Sequence, residues 1–137
     1  GINYLTKREE LFSCFERVSA SLCEGGVFIF DVNSKYKYEN VIADNTFIYE
    51  TDGLFLSWQN YYQKDNGICD FYLTFFEKHG EKWQRTDEYQ RQRMYSERTL
   101  KNVIGKAGLE LCETVSDVSG APVTGASERI FYVCRKK

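Results

Sequence analysis

Three residues in the second half of the chain have the types and spacing of an anion-binding surface. Tyr89, Arg91 and Arg93 alternate along a predicted strand, so their side chains share one face. Arginine guanidinium groups bind carboxylates and phosphates through paired hydrogen bonds. The alternation therefore predicts a substrate-binding wall, whereas the neighbouring Asp87 and Glu88 favour the alternative of a solvated face with balanced charge.

A second pair of polar residues lies at the carboxyl end of the apolar run 27–32. Asp31 and Asn33 occupy this end, and ligands of open α/β sheets bind outside the carboxyl ends of the strands. Asn33 is therefore a candidate for binding a substrate. The alternative is that it begins a turn, as asparagine often does.

Aromatic residues make up 16% of the chain, and several lie in one region. Trp58, Tyr61, Tyr62 and Tyr72 could stack against a flat substrate. Aromatic residues of a small sheet more often form its core, which is the alternative interpretation of the same pattern.

The chain offers little for nucleophilic or metal chemistry. Its one histidine, His79, precedes Gly80 in a predicted turn, and its five cysteines include no C-x-x-C pair. An odd number of widely spaced cysteines favours free thiols in a reducing compartment over disulfides or zinc binding. Cys14 and Cys23 fall on a predicted helix and are interpreted as packing residues. We therefore predict a cytoplasmic protein without a metal site.

The residues that precede Asn33 predict a helix followed by a buried strand. Thr6 and Glu9 resemble a capping box at the start of a helix over 6–24, and Gly25-Gly26 ends it. The run 27–32 is continuous and apolar, which is typical of a parallel strand buried on both faces. The apolar positions of the helix recur at i, i+4, i+7 and i+11, namely Leu11, Phe15, Val18 and Leu22.

The middle of the chain, residues 46–94, predicts an antiparallel meander. Four segments rich in aromatic and β-branched residues are separated by turn signals at Asp52-Gly53, Asp65-Asn66-Gly67 and His79-Gly80. Beyond the meander, Ser96 is a predicted N-cap for a second helix that ends at Gly108. Strands are predicted over 109–118 and 128–135.

Length and charge limit the classes of partner. The 137 residues suit one domain or part of a larger one. Nucleic-acid binding proteins usually carry an excess of basic residues, whereas this chain has a net charge of −2, so nucleic acid is not an expected partner. No apolar stretch approaches the roughly 18 residues of a membrane span, so a membrane is not expected either.

The order of these elements is similar to the C-terminal half of class I S-adenosylmethionine-dependent methyltransferases. Ile2–Tyr4 resembles a D-S-x-N-Y motif after the fourth strand in a bacterial branch of small-molecule methyltransferases. Gly25–Asn33 resembles the L-x-x-G-G-x-F-I-F-D-x-N segment of the fifth strand. Tyr95-Ser96 and Ser127–Val133 resemble the segments that close the fold.

The resemblance implies an α/β fold, the C-terminal half of a doubly wound Rossmann-like sheet with an inserted antiparallel β-meander. Residues 1–45 and 95–137 would form part of the core, and residues 46–94 a lid over the substrate. S-adenosyl-L-methionine is the implied cofactor, and a small molecule is the implied methyl acceptor.

The resemblance also assigns site residues. It places Asn3 and Tyr4 near the cofactor, and the implied acceptor-binding residues are Tyr4, Asn33, Tyr89, Arg91 and Arg93. No catalytic residue is predicted. Methyl transfer from a sulfonium is an in-line displacement of an activated leaving group, so positioning matters more than a fixed base.

The cofactor-binding motifs of the family have no counterpart in this sequence. These motifs are an acidic residue with a G-x-G loop after the first strand and an acidic residue after the second. We therefore expect most contacts to the cofactor to lie outside these 137 residues, and the isolated chain to be inactive.

Two further expectations concern assembly and an alternative function. The last strand is expected to pair antiparallel with 27–32, which leaves the other edge of that strand open and predicts a homodimer through it. The helix 6–24 is expected to leave Phe12 or Phe15 partly exposed. The alternative function is a stand-alone, non-catalytic binding or interaction module that uses its aromatic β-sheet.

Overall fold

The computed structural model describes residues 1–137 and contains two antiparallel sheets. The strands are β1 (Val27–Asn33), β2 (Thr46–Thr51), β3 (Leu54–Gln63), β4 (Ile68–His79), β5 (Lys82–Arg93), β6 (Leu109–Val115) and β7 (Arg129–Lys136). The helices are a 3₁₀ helix (Ile2–Tyr4), α1 (Arg8–Ser21), a π-helical segment (Lys37–Ile42) and α2 (Glu97–Lys106). One sheet has the strand order β1-β7-β6 and the other has the order β2-β3-β4-β5.

The larger hydrophobic core lies between the two α-helices and the three-stranded sheet. Phe15 of α1 is fully buried and makes edge-to-face contacts with Phe28 and Phe30, at ring-centroid distances of 5.5 and 4.9 Å. Phe30 in turn stacks on Tyr132 of β7. Of the two phenylalanines expected to be partly exposed, Phe15 is buried. Phe12 is half-buried at the margin of this core.

The predicted capping box at the start of α1 does not form. The first helical residue is Arg8, which makes Lys7 the N-cap, without a side-chain cap. A capping box requires the threonine at the N-cap and the glutamate at N3, whereas Thr6 precedes the cap and Glu9 lies at N2. The helix also ends earlier than predicted, at Ser21, and Gly25 adopts a left-handed φ of 74° before β1.

The strand β1 is not buried on both faces, and this part of the prediction is wrong for the chain. Its one partner is the antiparallel strand β7, so β1 lies at an edge of its sheet, as expected. Phe30 and Val32 face the core, whereas Val27 and Ile29 on the other face are 51% and 59% exposed. No helix of this chain covers that second face.

The meander forms as predicted, with four strands in consecutive antiparallel register. The tight turns between the strands include Gly67 and Gly80, which adopt left-handed φ values of 70° and 64°. A second, smaller core joins this sheet to the π-helical segment and consists of Tyr38, Ile42, Tyr62, Cys69 and Phe71.

The second helix also forms as predicted. Ser96 is the N-cap of α2, and its Oγ accepts a hydrogen bond from the Thr99 amide at 3.2 Å. Gly108 follows the helix with a φ of 75°. The strand β6 ends at Val115, three residues earlier than predicted, where an irregular loop begins. Neither α-helix has the length and apolar content needed to cross a membrane.

Candidate functional site

A cavity of about 250 Å³ lies where the two sheets meet. Its polar lining residues are Tyr4, Asn33, Lys37, Gln90, Gln92 and Arg129. Its apolar lining residues are Ile42, Trp58, Phe71 and Leu73. The 3₁₀ helix, the π-helical segment and strands of both sheets therefore all contribute to one concave surface that is open to solvent on one side.

Asn3 joins the two sheets next to the cavity. Its Nδ2 donates to the Arg93 carbonyl at 2.9 Å, and its Oδ1 accepts from the Asn33 backbone amide at 2.8 Å. The side chain is only 5% exposed and does not line the cavity. Because both ends of its amide are bonded within the protein, Asn3 ties the end of β1 to the end of β5.

Gln92 of β5 is the centre of a buried polar cluster. Its Oε1 accepts hydrogen bonds from Asn33 Nδ2 at 3.1 Å and from the Tyr38 hydroxyl at 2.7 Å. Tyr38 is fully buried, and burial raises the pKa of its hydroxyl far above the usual range. The Tyr38 hydroxyl is therefore a neutral donor that fixes the orientation of Gln92.

Tyr4 lies at the rim of the same cavity. Its hydroxyl donates to Gln90 Oε1 at 2.7 Å, although the ring is 48% exposed. Gln90 is also held from its other end, because its Nε2 donates to Glu88. The rim thus carries a phenol and an amide in a fixed arrangement.

Two cationic side chains line the cavity, and no carboxylate does. Lys37 Nζ lies 3.9 Å from Glu128, and Arg129 Nη1 lies 3.2 Å from Asp31. Asp31, which the sequence placed at the end of β1, therefore acts as the partner of a cavity residue and does not itself face the cavity.

The predicted stripe of Tyr89, Arg91 and Arg93 lies on the opposite face of β5 from Gln90 and Gln92, and these three residues do not line this cavity. The alternation along a strand makes this necessary, because residues one position apart point to opposite faces. Their role in binding a substrate therefore stays a prediction for another surface.

Arg91 is occupied on that opposite face by a buried carboxylate. Asp70 is 4% exposed and accepts hydrogen bonds from Arg91 Nε, Arg91 Nη2 and the Tyr89 hydroxyl. The Arg91 guanidinium holds the pKa of the Asp70 carboxyl below its usual range, in spite of the opposing effect of burial. The positive charge of Arg91 is therefore already balanced by the carboxylate of Asp70.

The candidate stacking aromatics divide between the two faces of the meander. Trp58 lines the cavity, and Tyr62 stacks on Tyr38 in the smaller core. Tyr61 and Tyr72 are exposed on the other face. The core interpretation therefore applies to Tyr62, and Trp58 is the one member of the group that borders the cavity.

The thiols and the histidine are not arranged for nucleophilic catalysis. All five cysteines are free, and burial raises the pKa of the Cys69 thiol to about 12. Cys14 packs at the margin of the larger core as predicted, whereas Cys23 is exposed and does not pack. His79 is the exposed last residue of β4.

Sequence reasoning missed most of the polar residues that line the cavity. The alternation along β5 that groups Arg91 with Arg93 also places Gln90 and Gln92 together on the opposite face. This alternation is the sequence signal from which the two glutamines could have been found. Lys37 lay in no motif, and the motif segment Ser127–Val133 gave Arg129 no binding role, because the two residues are brought together only by the packing of the π-helical segment near the start of β7.

No protein-family model matches the chain. It is 27% identical to the Bacillus subtilis (strain 168) protein named "Putative methyltransferase YqeM" over 136 residues. It is 30% identical to a "Putative methyltransferase" of Geobacillus sp. (strain WCH70) over 137 residues. These alignments cover 99% of the chain but only 55% and 56% of the relatives. The chain therefore spans about half the length of the curated relatives that it matches.

A solved structure agrees with these relatives. The S-adenosylmethionine-dependent methyltransferase from Clostridium acetobutylicum ATCC 824 superposes with a TM-score of 0.91 and 34% sequence identity. The match covers 99% of this chain and 55% of that enzyme. In sequence and in its α/β structure, the chain is thus similar to the C-terminal half of a class I S-adenosylmethionine-dependent methyltransferase.

Proposed function

We propose that this chain supplies the acceptor side of the active site of an S-adenosylmethionine-dependent methyltransferase. The observation that carries the proposal is the cavity at the junction of the two sheets, in a chain that resembles half of such an enzyme. The cavity combines a fixed phenol, two fixed amides and an apolar wall, which is the composition of a small-molecule site.

The chemistry requires positioning more than acid–base catalysis. When bound, S-adenosyl-L-methionine supplies an activated methyl group to a nucleophile held in line with it. Tyr4 and Gln90 at the rim, with Gln92 behind them, orient the acceptor by hydrogen bonds. Trp58 and Phe71 exclude water from the other side.

The size and charge of the cavity fit the acceptor rather than the whole cofactor. Its volume of about 250 Å³ lies below the roughly 300–1,000 Å³ of cavities that enclose a drug-sized ligand. No lining carboxylate is available to accept hydrogen bonds from ribose hydroxyls. We propose that Tyr4 contacts the reacting end of the cofactor and that the remaining contacts come from outside these residues.

The buried position of Asn3 alters its proposed role. Its side-chain amide is saturated by Asn33 and Arg93, so we propose that Asn3 positions Asn33 rather than binding the cofactor. The meander 46–94 is proposed to be the part that closes over a small-molecule acceptor, because Trp58, Phe71, Gln90 and Gln92 all belong to it. We propose a cytoplasmic location, which the odd number of widely spaced cysteines favours.

Two measurements test the proposal. Titration calorimetry of the 137-residue chain with S-adenosyl-L-methionine should show no saturable binding tighter than about 1 mM, equivalent to roughly 4 kcal/mol. The full-length protein should bind the cofactor and transfer its radiolabelled methyl group to a member of a panel of small acceptors. Micromolar binding by the isolated chain would contradict the division of the site, and the absence of cofactor binding by the full-length protein would contradict the function.

The alternative of a non-catalytic binding module has no support from the comparisons, because the relatives are named as methyltransferases.

A further inference from the structure

The cavity has a marked asymmetry of charge. Lys37 and Arg129 line it, whereas aspartate and glutamate are absent from its lining. Lys37 comes from the π-helical segment and Arg129 from the first position of β7, so separate elements place two cations on one small surface.

The carboxylates near these cations do not neutralise them completely. The distance of 3.9 Å from Lys37 Nζ to Glu128 is at the long limit for an ion pair, and the Glu128 side chain is half exposed. The Arg129–Asp31 pair is closer, at 3.2 Å, but it involves one terminal nitrogen of the guanidinium. Ion pairs of this exposed kind contribute about 0–1 kcal/mol each, so an added anion can compete for the same donors.

The Lys37 side chain is well placed for such competition. Only 22% of it is exposed, which lowers the screening of its charge by water compared with a surface lysine. Lys35, two residues before Lys37, is 68% exposed, pairs with Glu39 at 3.8 Å and does not line the cavity. The two lysines thus differ in location rather than in pairing.

We propose that the methyl acceptor carries a carboxylate, which Lys37 and Arg129 bind, while Trp58 and Phe71 contact its apolar part. This inference rests on the proposed function, because it assigns the cavity to the acceptor. The arginines that the sequence indicated for an anion do not serve this cavity. Arg91 is bonded to the buried Asp70 on the other face of β5, and Arg93 shares that face.

The volume of the cavity sets the size of a suitable probe. About 250 Å³ admits one aromatic ring with a substituent. A probe of about ten non-hydrogen atoms is expected to bind with a Kd near 1 mM. 4-Hydroxybenzoate and 4-hydroxybenzamide form a matched pair, because they share the ring and the hydroxyl and differ in the charge of one group.

The experiment measures binding of both probes to the full-length protein by ligand-observed NMR titration, which reports weak binding directly from the signals of each probe. The carboxylate should bind about tenfold more tightly than the amide, which is the effect expected of a charge-assisted hydrogen bond. Lys37→Met should reduce this preference to about twofold or less, and Lys35→Met should leave it unchanged.

Three results of the probe titrations would each overturn the proposal: equal binding of the two probes, no binding of either at about 10 mM, or equal effects of Lys37→Met and Lys35→Met. The affinity of each variant for S-adenosyl-L-methionine is measured in parallel. If Lys37→Met weakened binding of the cofactor instead of binding of the carboxylate, the two cations would bind the cofactor. That result would also overturn the proposal. A preserved preference for the carboxylate without any methyl transfer would contradict only the proposed function.

Discussion

Asn3 and Asn33 lie thirty residues apart in the chain, and the backbone amide of Asn33 donates to Asn3 Oδ1 at 2.8 Å. The other end of the Asn3 side chain donates to the carbonyl of Arg93, the last residue of β5. One buried amide therefore sets the position of β1 relative to the meander. The Asn33 side chain, which reaches Gln92, is held in place by the same contact.

Asn3→Ala should destabilise the protein by about 2–3 kcal/mol, because it leaves a backbone amide and a carbonyl without their partners in a buried region. Urea unfolding measures this change. Asn40→Ala is the matched control, since Asn40 is exposed and its side chain bonds only to the carbonyl of Tyr36. Equal effects of the two substitutions would exclude a bridging role for Asn3.

Tyr4→Ala in the full-length protein should lower the rate of methyl transfer about tenfold or more, since misplacement of a reacting group is costly. The loss of stability should remain small, because the ring is about half exposed. Turnover and melting temperature are measured on the same samples, with Tyr49→Ala as the control at an exposed tyrosine away from the cavity. Parallel losses of stability and activity in the Tyr4 variant would assign this residue to packing.

The stability of the protein should decrease in acid partly through Asp70. Its folded-state pKa is depressed by Arg91, so the ion pair stabilises the protein above the unfolded-state pKa of about 3.9 and loses this effect as the pH falls through the folded-state pKa. Asp70→Asn should cost about 1–3 kcal/mol at pH 7 and flatten the decline in the free energy of unfolding below about pH 4.

Urea unfolding between pH 2.5 and 7 tests this dependence, with Asp87→Asn as the control. Asp87 also pairs with an arginine, Arg85, but it is exposed, so its replacement should have little effect at pH 7. A pH profile of Asp70→Asn that parallels the unmodified protein would show that Asp70 does not contribute to the acid transition.

Ser96→Ala should destabilise the protein by about 1 kcal/mol, because it removes the hydrogen bond to the Thr99 amide at the start of α2. Thr6→Ala should have a much smaller effect, since Thr6 does not cap α1. Thermal unfolding of both variants distinguishes the cap that forms from the capping box that does not. A larger loss in Thr6→Ala would contradict the helix start at Arg8.

The isolated chain should self-associate through the open edge of β1. Val27 and Ile29 are exposed on this strand, and residues 27–30 include neither a charge nor a proline. Sedimentation at micromolar concentration should give a dimer, and Ile29→Lys should shift it to a monomer. Val118→Lys, in an exposed loop, should leave the dimer intact. A monomeric unmodified chain would contradict this prediction.

Local patterns predicted the four strands of the meander and the turns between them, because alternation and turn glycines act between neighbours in the chain. The same is true of α2, where Ser96 and Gly108 mark the two ends. Local patterns predicted α1 less well. Thr6 and Glu9 match a capping box, but the helix begins at Arg8, so these two residues do not cap it.

The site depends on relationships that such patterns do not contain. Alternation along β5 shows that Tyr89, Arg91 and Arg93 share a face and that Gln90 and Gln92 share the other, but it does not tell which face meets the first sheet. That choice depends on how the 3₁₀ helix and the π-helical segment pack against the meander.

The sequence by itself therefore predicted the two α-helices and the strands, their order and the resemblance to a methyltransferase, but not the 3₁₀ helix or the π-helical segment. The tertiary structure decided that the glutamines face the cavity, that Asp70 is buried beside Arg91, and that Lys37 and Arg129 line the same cavity. The physical reason is that helix and strand formation depends on residues a few positions apart. The lining of a cavity depends instead on contacts between segments far apart in the chain, such as those of Asn3 and Arg93, which lie ninety residues apart.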